Sequence, residues 1–184
     1  MRRVVILGCS GSGKTTLARA VGERLGMPVV HLDTLYYEPG WKPRPWEAFR
    51  ASLAAAVAAE AWVIDGHFAE TLDLSAPRAD LVVFVRQPRW RRLWRVTRRW
   101  LTDRGRDRPD LPVGCPERFD WALLKWIWRF ERDVRPKTDA ALAAYPAPVV
   151  RLSGDKQIAR FVEKLRARPA EGAGEAASGR TSGT

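Results

Sequence analysis

The octapeptide Gly8-Cys9-Ser10-Gly11-Ser12-Gly13-Lys14-Thr15 stands between a short apolar run, Val4 to Leu7, and a helical pattern that opens at Lys14. It satisfies GxxxxGK(S/T) without a mismatch. Glycine at these positions lets successive backbone N–H groups turn inward around an anion, where a side chain would block the approach. A strand entering such a turn and a helix leaving it aim the positive end of the helix dipole at the same point. The octet therefore predicts a phosphate cradle. Gly8, Ser10, Gly11, Ser12, Gly13, Lys14, Thr15 and Thr16 are expected around nucleotide phosphates. Lys14 should bridge the β- and γ-phosphates, and the Thr15 hydroxyl should ligate Mg²⁺.

Downstream of the octet the chain keeps alternating in the same way. Arg3–Gly8, Pro28–Asp33, Ala61–Asp65, Asp80–Arg86 and Pro148–Leu152 are nearly all apolar, as parallel strands covered on both faces must be. Between them run helical spacings: Lys14–Leu25; Trp46, Phe49, Leu53 and Val57 behind Pro45; Trp90, Leu93, Trp94, Thr97, Trp100 and Leu101; and Ile158, Phe161, Val162 and Leu165. Phe119 through Phe130 is so rich in Trp and Leu that most of its circumference is expected to be covered. Strand–helix alternation implies right-handed βαβ crossovers, hence an α/β domain with a five-stranded parallel sheet. The expected domain spans residues 1–168. A tail without large apolar residues, 169–184, is expected to be disordered.

Composition narrows the partners. A chain that is 46% hydrophobic, with nine Trp and six Phe, can bury a core and is neither wholly disordered nor collagen-like. The formal charge of +11, carried by 26 Arg and only 6 Lys, favours nucleotides, other polyanions or phosphorylated substrates. Cys9 and Cys115 have neither CxxC nor zinc spacing, which suits a reduced, cytoplasmic protein. Arg2-Arg3 followed by Val4–Leu7 and Cys9 imitates a lipoprotein signal, but the apolar run falls well short of the ~7–15 residues of an h-region. No segment approaches a membrane span, and no membrane partner is expected.

Two carboxylates close strands. Asp33 ends Val-Val-His-Leu-Asp and Asp65 ends Trp-Val-Ile-Asp, at the strand edge where open parallel sheets bind ligands. On strands expected to flank the octet's own, either can hold a magnesium water, and either can orient or deprotonate an acceptor hydroxyl. His31 reads as a satisfied core or wall residue and His67 as one that can face the site, without the companions a metal centre needs. Residues 86 to 108 hold ten Arg and two Asp. Arg91, Arg92, Arg95, Arg98 and Arg99 lie on the helix face away from the Trp stripe, and Arg104, Arg106 and Arg108 fall in a linker over Asp103–Glu117. This block reads in three ways. It is a solvated face, which accounts for Arg91 or Arg92; a nucleic-acid surface, weakened because core packing should consume the tryptophans; or a lid over about 99–118 that brings arginines onto transferring phosphates. The lid ranks first.

Several stretches together resemble adenylate kinase and its small P-loop relatives, nearest to the bacterial topology modulation proteins. They are His31-Leu-Asp33 with Tyr36 and Pro39-Gly40-Trp41; Asp65-Gly66; Arg104-Gly105-Arg106; Gly114-Cys115-Pro116-Glu117-Arg118; and Trp126 through Phe130. The likeness runs over roughly residues 3 to 165. It implies a nucleoside-monophosphate-kinase-like fold with sheet order 2-3-1-4-5, helices on both faces, ATP as donor, and an acceptor pocket below the segment after the second strand. It further implies Asp33 on the acceptor side, Asp65 as a ligand to magnesium water, and Arg95 and Arg99 flanking the nucleotide. Adenylate kinases carry Asp-Gly-Phe-Pro-Arg where this chain has Asp65-Gly66-His67-Phe68-Ala69, so the usual anchor for an acceptor phosphate is missing. The resulting expectation is an ATP- and Mg²⁺-dependent phosphotransferase for a small or nucleotide-like acceptor, monomeric or homodimeric. Lys14, Asp33, Arg104, Arg106 and Arg129 are expected at the chemistry. A nucleic-acid-binding P-loop ATPase and a nucleotide-binding regulator without turnover are the alternatives.

Overall fold

The computed structural model describes residues 1–165. The expected tail, 169–184, and the last residues of the expected domain lie outside them. In chain order the elements are β1 (Arg3–Gly8), α1 (Lys14–Leu25), β2 (Val29–His31), α2 (Leu32–Tyr36), β3 (Tyr37–Glu38), β4 (Lys42–Pro43), α3 (Trp46–Ala58), β5 (Trp62–Asp65), α4 (Leu72–Ser75), β6 (Leu81–Arg86), α5 (Arg89–Asp103), α6 (Trp121–Asp133), α7 (Arg135–Ala143), β7 (Val149–Ser153) and α8 (Gly154–Lys164).

Five of the strands form one parallel sheet in the order β2-β5-β1-β6-β7. Counted along the chain within that sheet, this is the expected order 2-3-1-4-5. β1 is central, with Val5 in register with Ile64 on one side and Val82 on the other. Because side chains alternate along a strand, Val5 and Leu7 enter a core with Phe49, Leu53, Trp62, Ile127 and Phe130, whereas Val4 and Ile6 enter one with Leu17, Val21, Val83 and Leu152. Helices cover both faces, which is why these strands read as unbroken apolar runs. Among the described residues no helix is long and apolar enough to cross a membrane.

Several boundaries differ from the sequence reading. The second strand stops at His31, so Asp33 does not close it but lies in the first turn of α2. The Thr34 hydroxyl donates to the His31 carbonyl at 2.6 Å and helps turn the chain there. β2 also does not flank β1; it lies beyond β5, so only Asp65 of the two carboxylates sits on a strand beside the octet's own. The Trp-rich helix begins at Trp121, not Phe119, because the Asp120 carboxylate accepts from the Leu123 N–H at 3.0 Å and caps its first turn. It runs on to Asp133, and neither α7 nor the β3–β4 hairpin is expected from the sequence.

Two burial expectations reverse. Trp90, Trp94, Trp121 and Trp128 stay more than half exposed instead of being consumed by the core. Arg92, read as solvated, is almost fully buried; it pairs with Glu131 of α6 at 3.1 Å and lies 5.5 Å from the Phe130 ring centroid. Helix α5 thus anchors itself with a charge and leaves indoles outside.

Candidate active site

The octet forms a tight loop between β1 and α1. Gly11 and Gly13 have φ of 75° and 93°, the left-handed region in which glycine costs little. Space excludes a side chain at Gly11 as well, since a Cβ would lie 2.6 Å from the Arg92 carbonyl oxygen. α1 opens behind Gly13 with no side chain capping its first turn, so the loop presents free N–H groups and the positive end of the helix. The Ser12 side chain is buried and its hydroxyl has no partner among the described residues. Cys9 lies beneath the loop, where burial pushes its thiol up to about 11 and keeps it protonated.

Beside the loop, the Thr15 hydroxyl donates to Asp65 Oδ2 at 2.8 Å. Asp65 ends β5 in register with His31, whose Nδ1 meets the other carboxylate oxygen. Strand register thus fixes a hydroxyl, a carboxylate and an imidazole at the sheet's carboxyl edge. An oxygen pair of this kind suits a hard divalent cation.

Gly8, Ser10 and Lys14 line a cleft of about 580 Å³ together with Asp33. Burial pushes the Asp33 carboxyl above the usual range; Lys14 pulls the other way, and Asp65 adds to the push. Tyr36, Tyr37, Trp41, Phe68 and Trp126 add aromatic rings to the lining of the same cleft. His67 lies there too, its Nε2 at 3.1 Å from the Thr138 hydroxyl of α7. Burial lowers its pKa to about 4, so the ring is neutral.

The roof comes from α5 and the irregular connection that follows it. Arg99 and Arg108 both line the cleft, and both meet one Glu117 oxygen, at 3.0 Å and 3.3 Å. Burial, then the adjacent Arg108 charge, pulls Arg99 below the usual guanidinium value. Asp110 takes a second contact from Arg108 and lies 3.7 Å from Arg19 of α1. The β3–β4 hairpin fastens the same connection. Gly40 N–H donates to the Gly114 carbonyl at 2.7 Å, Trp41 Nε1 to the Pro116 carbonyl at 3.0 Å, and the Cys115 thiol to the Glu38 carbonyl at 3.2 Å. The Arg118 guanidinium lies 5.4 Å from the Trp41 ring centroid, at the cleft.

The expected residues divide accordingly. Gly8, Ser10, Lys14, Asp33 and Arg99 share the cleft, with Thr15 and Asp65 paired beside the loop. Arg95 lies against the loop backbone, 3.5 Å from the Gly11 carbonyl, and is held there by Asp155 at 2.9 Å. Thr16 is exposed in the first turn of α1. Arg104 and Arg106 are exposed and do not line the cleft; Arg104 sits on an isolated bridge to Glu117, and the Arg106 carbonyl accepts from the Glu117 N–H. Arg129 is also away from it, paired with Asp133 at 3.3 Å on the outer side of α6. The spacing does not separate the arginines that line the cleft from those that do not, because the connection folds back at Glu117 and no local periodicity records that. Arg108 and Arg118 are visible as residues of the linker and of the Gly114–Arg118 stretch; only tertiary folding shows that they face the loop.

No protein-family model matches the sequence, and no curated protein sequence does. Solved structures share its fold. A sugar kinase from Janibacter is 19% identical with a TM-score of 0.53 over 92% of this chain and 97% of its own. Shikimate kinase from Bacteroides thetaiotaomicron is 19% identical with a TM-score of 0.51, over 89% and 95%. Shikimate kinase from Acinetobacter baumannii, solved with shikimate, is 16% identical with a TM-score of 0.52, over 90% of each chain. The chain has the α/β architecture of the small P-loop kinases.

Proposed function

We propose that the protein is an ATP-dependent phosphotransferase that moves the γ-phosphoryl group of Mg·ATP to a hydroxyl of a small acceptor. The observation that carries this reading is the shared cleft, in which Lys14 and Asp33 face Arg99 and Arg108 across about 580 Å³. A glycine loop alone suits any nucleotide binder. A carboxylate without a hydrogen bond to the described residues, next to the loop lysine, suits transfer to an acceptor.

In the proposed reaction Asp33 orients the acceptor hydroxyl and takes its proton. The hydroxyl oxygen forms the new bond to phosphorus, the bond to the β,γ-bridging oxygen breaks, and its electron pair leaves with ADP. Lys14 and the loop N–H groups neutralise the phosphates, and Arg95 lies on the nucleotide side of the loop. Thr15 and Asp65 would hold Mg²⁺, which when bound supplies further charge neutralisation at the phosphate oxygens. The connection over 99–118 acts as the lid, with Arg99 and Arg108 in the roles that the sequence suggests for Arg104 and Arg106. The aromatic lining and the missing acceptor-phosphate anchor favour a ring-bearing acceptor other than a nucleoside monophosphate. The stretches around Asp33, Asp65, Glu117 and Trp126 support a finer likeness, to adenylate kinases and the topology modulation proteins.

The test is ADP release from ATP across a panel of nucleosides, nucleotides, sugars and hydroxy acids. Acceptor-dependent release is expected, and Lys14→Ala should reduce it by about 10²–10³-fold. Normal ATP binding without acceptor-dependent release from any member would sink the reading in favour of a regulator without turnover.

A further inference from the structure

The large apolar side chains left in water gather on one face. Trp90, Trp94 and Leu101 of α5, Phe119 ahead of α6, and Trp121 and Trp128 of α6 are each 49% to 70% exposed. Elsewhere among the described residues only Met1, Trp46 and Val113 are comparable. Trp90, Trp94 and Leu101 share one side of α5 by helical spacing, as Trp121 and Trp128 do on α6. A groove of about 730 Å³ runs along them, lined by Leu93, Thr97, Leu124 and the two α6 tryptophans. None of these residues lines the catalytic cleft, which takes Leu123 and Trp126 from the other side of α6.

Cations are interleaved with the rings. The guanidiniums of Arg89, Arg98 and Arg91 lie 4.6, 5.4 and 5.7 Å from the ring centroids of Trp128, Trp94 and Trp90. Lys125, Arg129 and Arg132 edge the groove. Of the acids on α6, Glu131 is turned to Arg92 and Arg135, and Asp133 serves Arg129 and Arg132. Arg89, Arg98 and Lys125 have no carboxylate partner among the described residues.

We infer that this face docks on an anionic lipid bilayer. The indoles enter the interfacial region, the leucines meet the acyl boundary, and the guanidiniums of Arg89 and Arg98 reach the lipid phosphates, while Arg91 stays with Asp155. A second copy of the chain would set the same unpaired cations against themselves. A nucleic-acid strand stacks its bases on free ring faces, but here three of the four tryptophans carry a guanidinium of their own chain, and the leucines offer a base nothing to stack on. A bilayer uses both the aliphatic and the cationic parts of the face. The inference is independent of the proposed phosphotransfer.

The experiment incubates the full chain with vesicles of phosphatidylcholine alone and with ~30% phosphatidylglycerol, and reads sedimentation and tryptophan emission. Binding to the anionic vesicles only, with a blue-shifted emission and weakening in salt, is expected. Arg89→Gln with Arg98→Gln should lower the partition coefficient about fivefold for each cation removed, and Trp94→Ala with Trp128→Ala should weaken binding and reduce the blue shift to the part that Trp90 and Trp121 contribute. ATP binding and far-ultraviolet circular dichroism should be unchanged in both pairs. Failure to bind phosphatidylglycerol vesicles would overturn the inference, as would wild-type binding by both variant pairs. Retention on oligo(dT) without vesicle binding, or a dimer that dissociates when Trp94 and Trp128 are replaced, would overturn it as well.

Discussion

Asp33 and Asp65 look alike in the sequence, each an acid after an apolar run, yet they are chemically different groups. Asp65 is tied to Thr15 and His31, whereas the Asp33 carboxyl makes no hydrogen bond among the described residues and is pushed above the usual carboxylate range by burial. If Asp33 is the proton acceptor, the acid limb of kcat/KM should lie above the ordinary value of 3.8 and disappear in Asp33→Asn; a pH–rate profile checks this. His67 supplies a prediction about stability. Its folded pKa of about 4 lies below the unfolded 6.5, so the unfolded chain binds the extra proton between those values. Stability should fall as pH drops from 6.5 to about 4, by about 3 kcal/mol from this group, and His67→Gln should flatten that slope in urea titrations. At Gly11, left-handed backbone and a 2.6 Å approach to the Arg92 carbonyl act together. Gly11→Ala should cost about 2 kcal/mol or more and weaken ATP binding, measured by thermal unfolding and calorimetry.

Among the elements, the hairpin and the α5–α6 connection behave as one unit. Trp41 holds φ of 62°, unusual for a bulky residue, while its indole bonds the Pro116 carbonyl and stacks on Arg118. Strain of this kind persists only where the surroundings over-determine it. Trp41→Ala should therefore release the connection, so that limited proteolysis within 104–118 accelerates while the global melting temperature changes little. Helix α5 is held by a different device, the buried Arg92 against Glu131. Glu131→Gln strands a charge and should cost about 2–4 kcal/mol, and adding Arg92→Met should recover much of it, as chemical denaturation will show. Helices α1, α3, α5 and α8 are legible in the sequence because each carries one periodic apolar stripe. α7, lacking a strong stripe, is not, and neither is the exposure of the tryptophans: α6 is apolar on two sides and only one packs into the core, while α5 turns Arg92 and Val96 inward and leaves Trp90 and Trp94 outside.

Across the molecule, the charge of +11 is spread unevenly, and folding pairs part of it. Asp155 holds Arg91 and Arg95, Glu117 and Asp110 hold Arg99 and Arg108, and Glu131 holds Arg92. Arg89, Arg98 and Lys125 remain on the aromatic face, where the chain is open to an anionic partner. Salt, raised from about 10 to about 150 mM, should raise the melting temperature slightly while weakening vesicle binding strongly, since in the fold the screened self-repulsion is offset by screened ion pairs, whereas vesicle binding rests on attraction between opposite charges. By itself the sequence determined the glycine loop between a strand and a helix, the parallel sheet, and the carboxylate that ends the strand beside the loop. These follow from local periodicity and from backbone geometry that few residues permit. Which arginines face the loop, which carboxylate stays free, and which tryptophans remain in water were decided only by tertiary structure. Each depends on how segments far apart in the chain fold back on one another, and residue spacing carries no record of that.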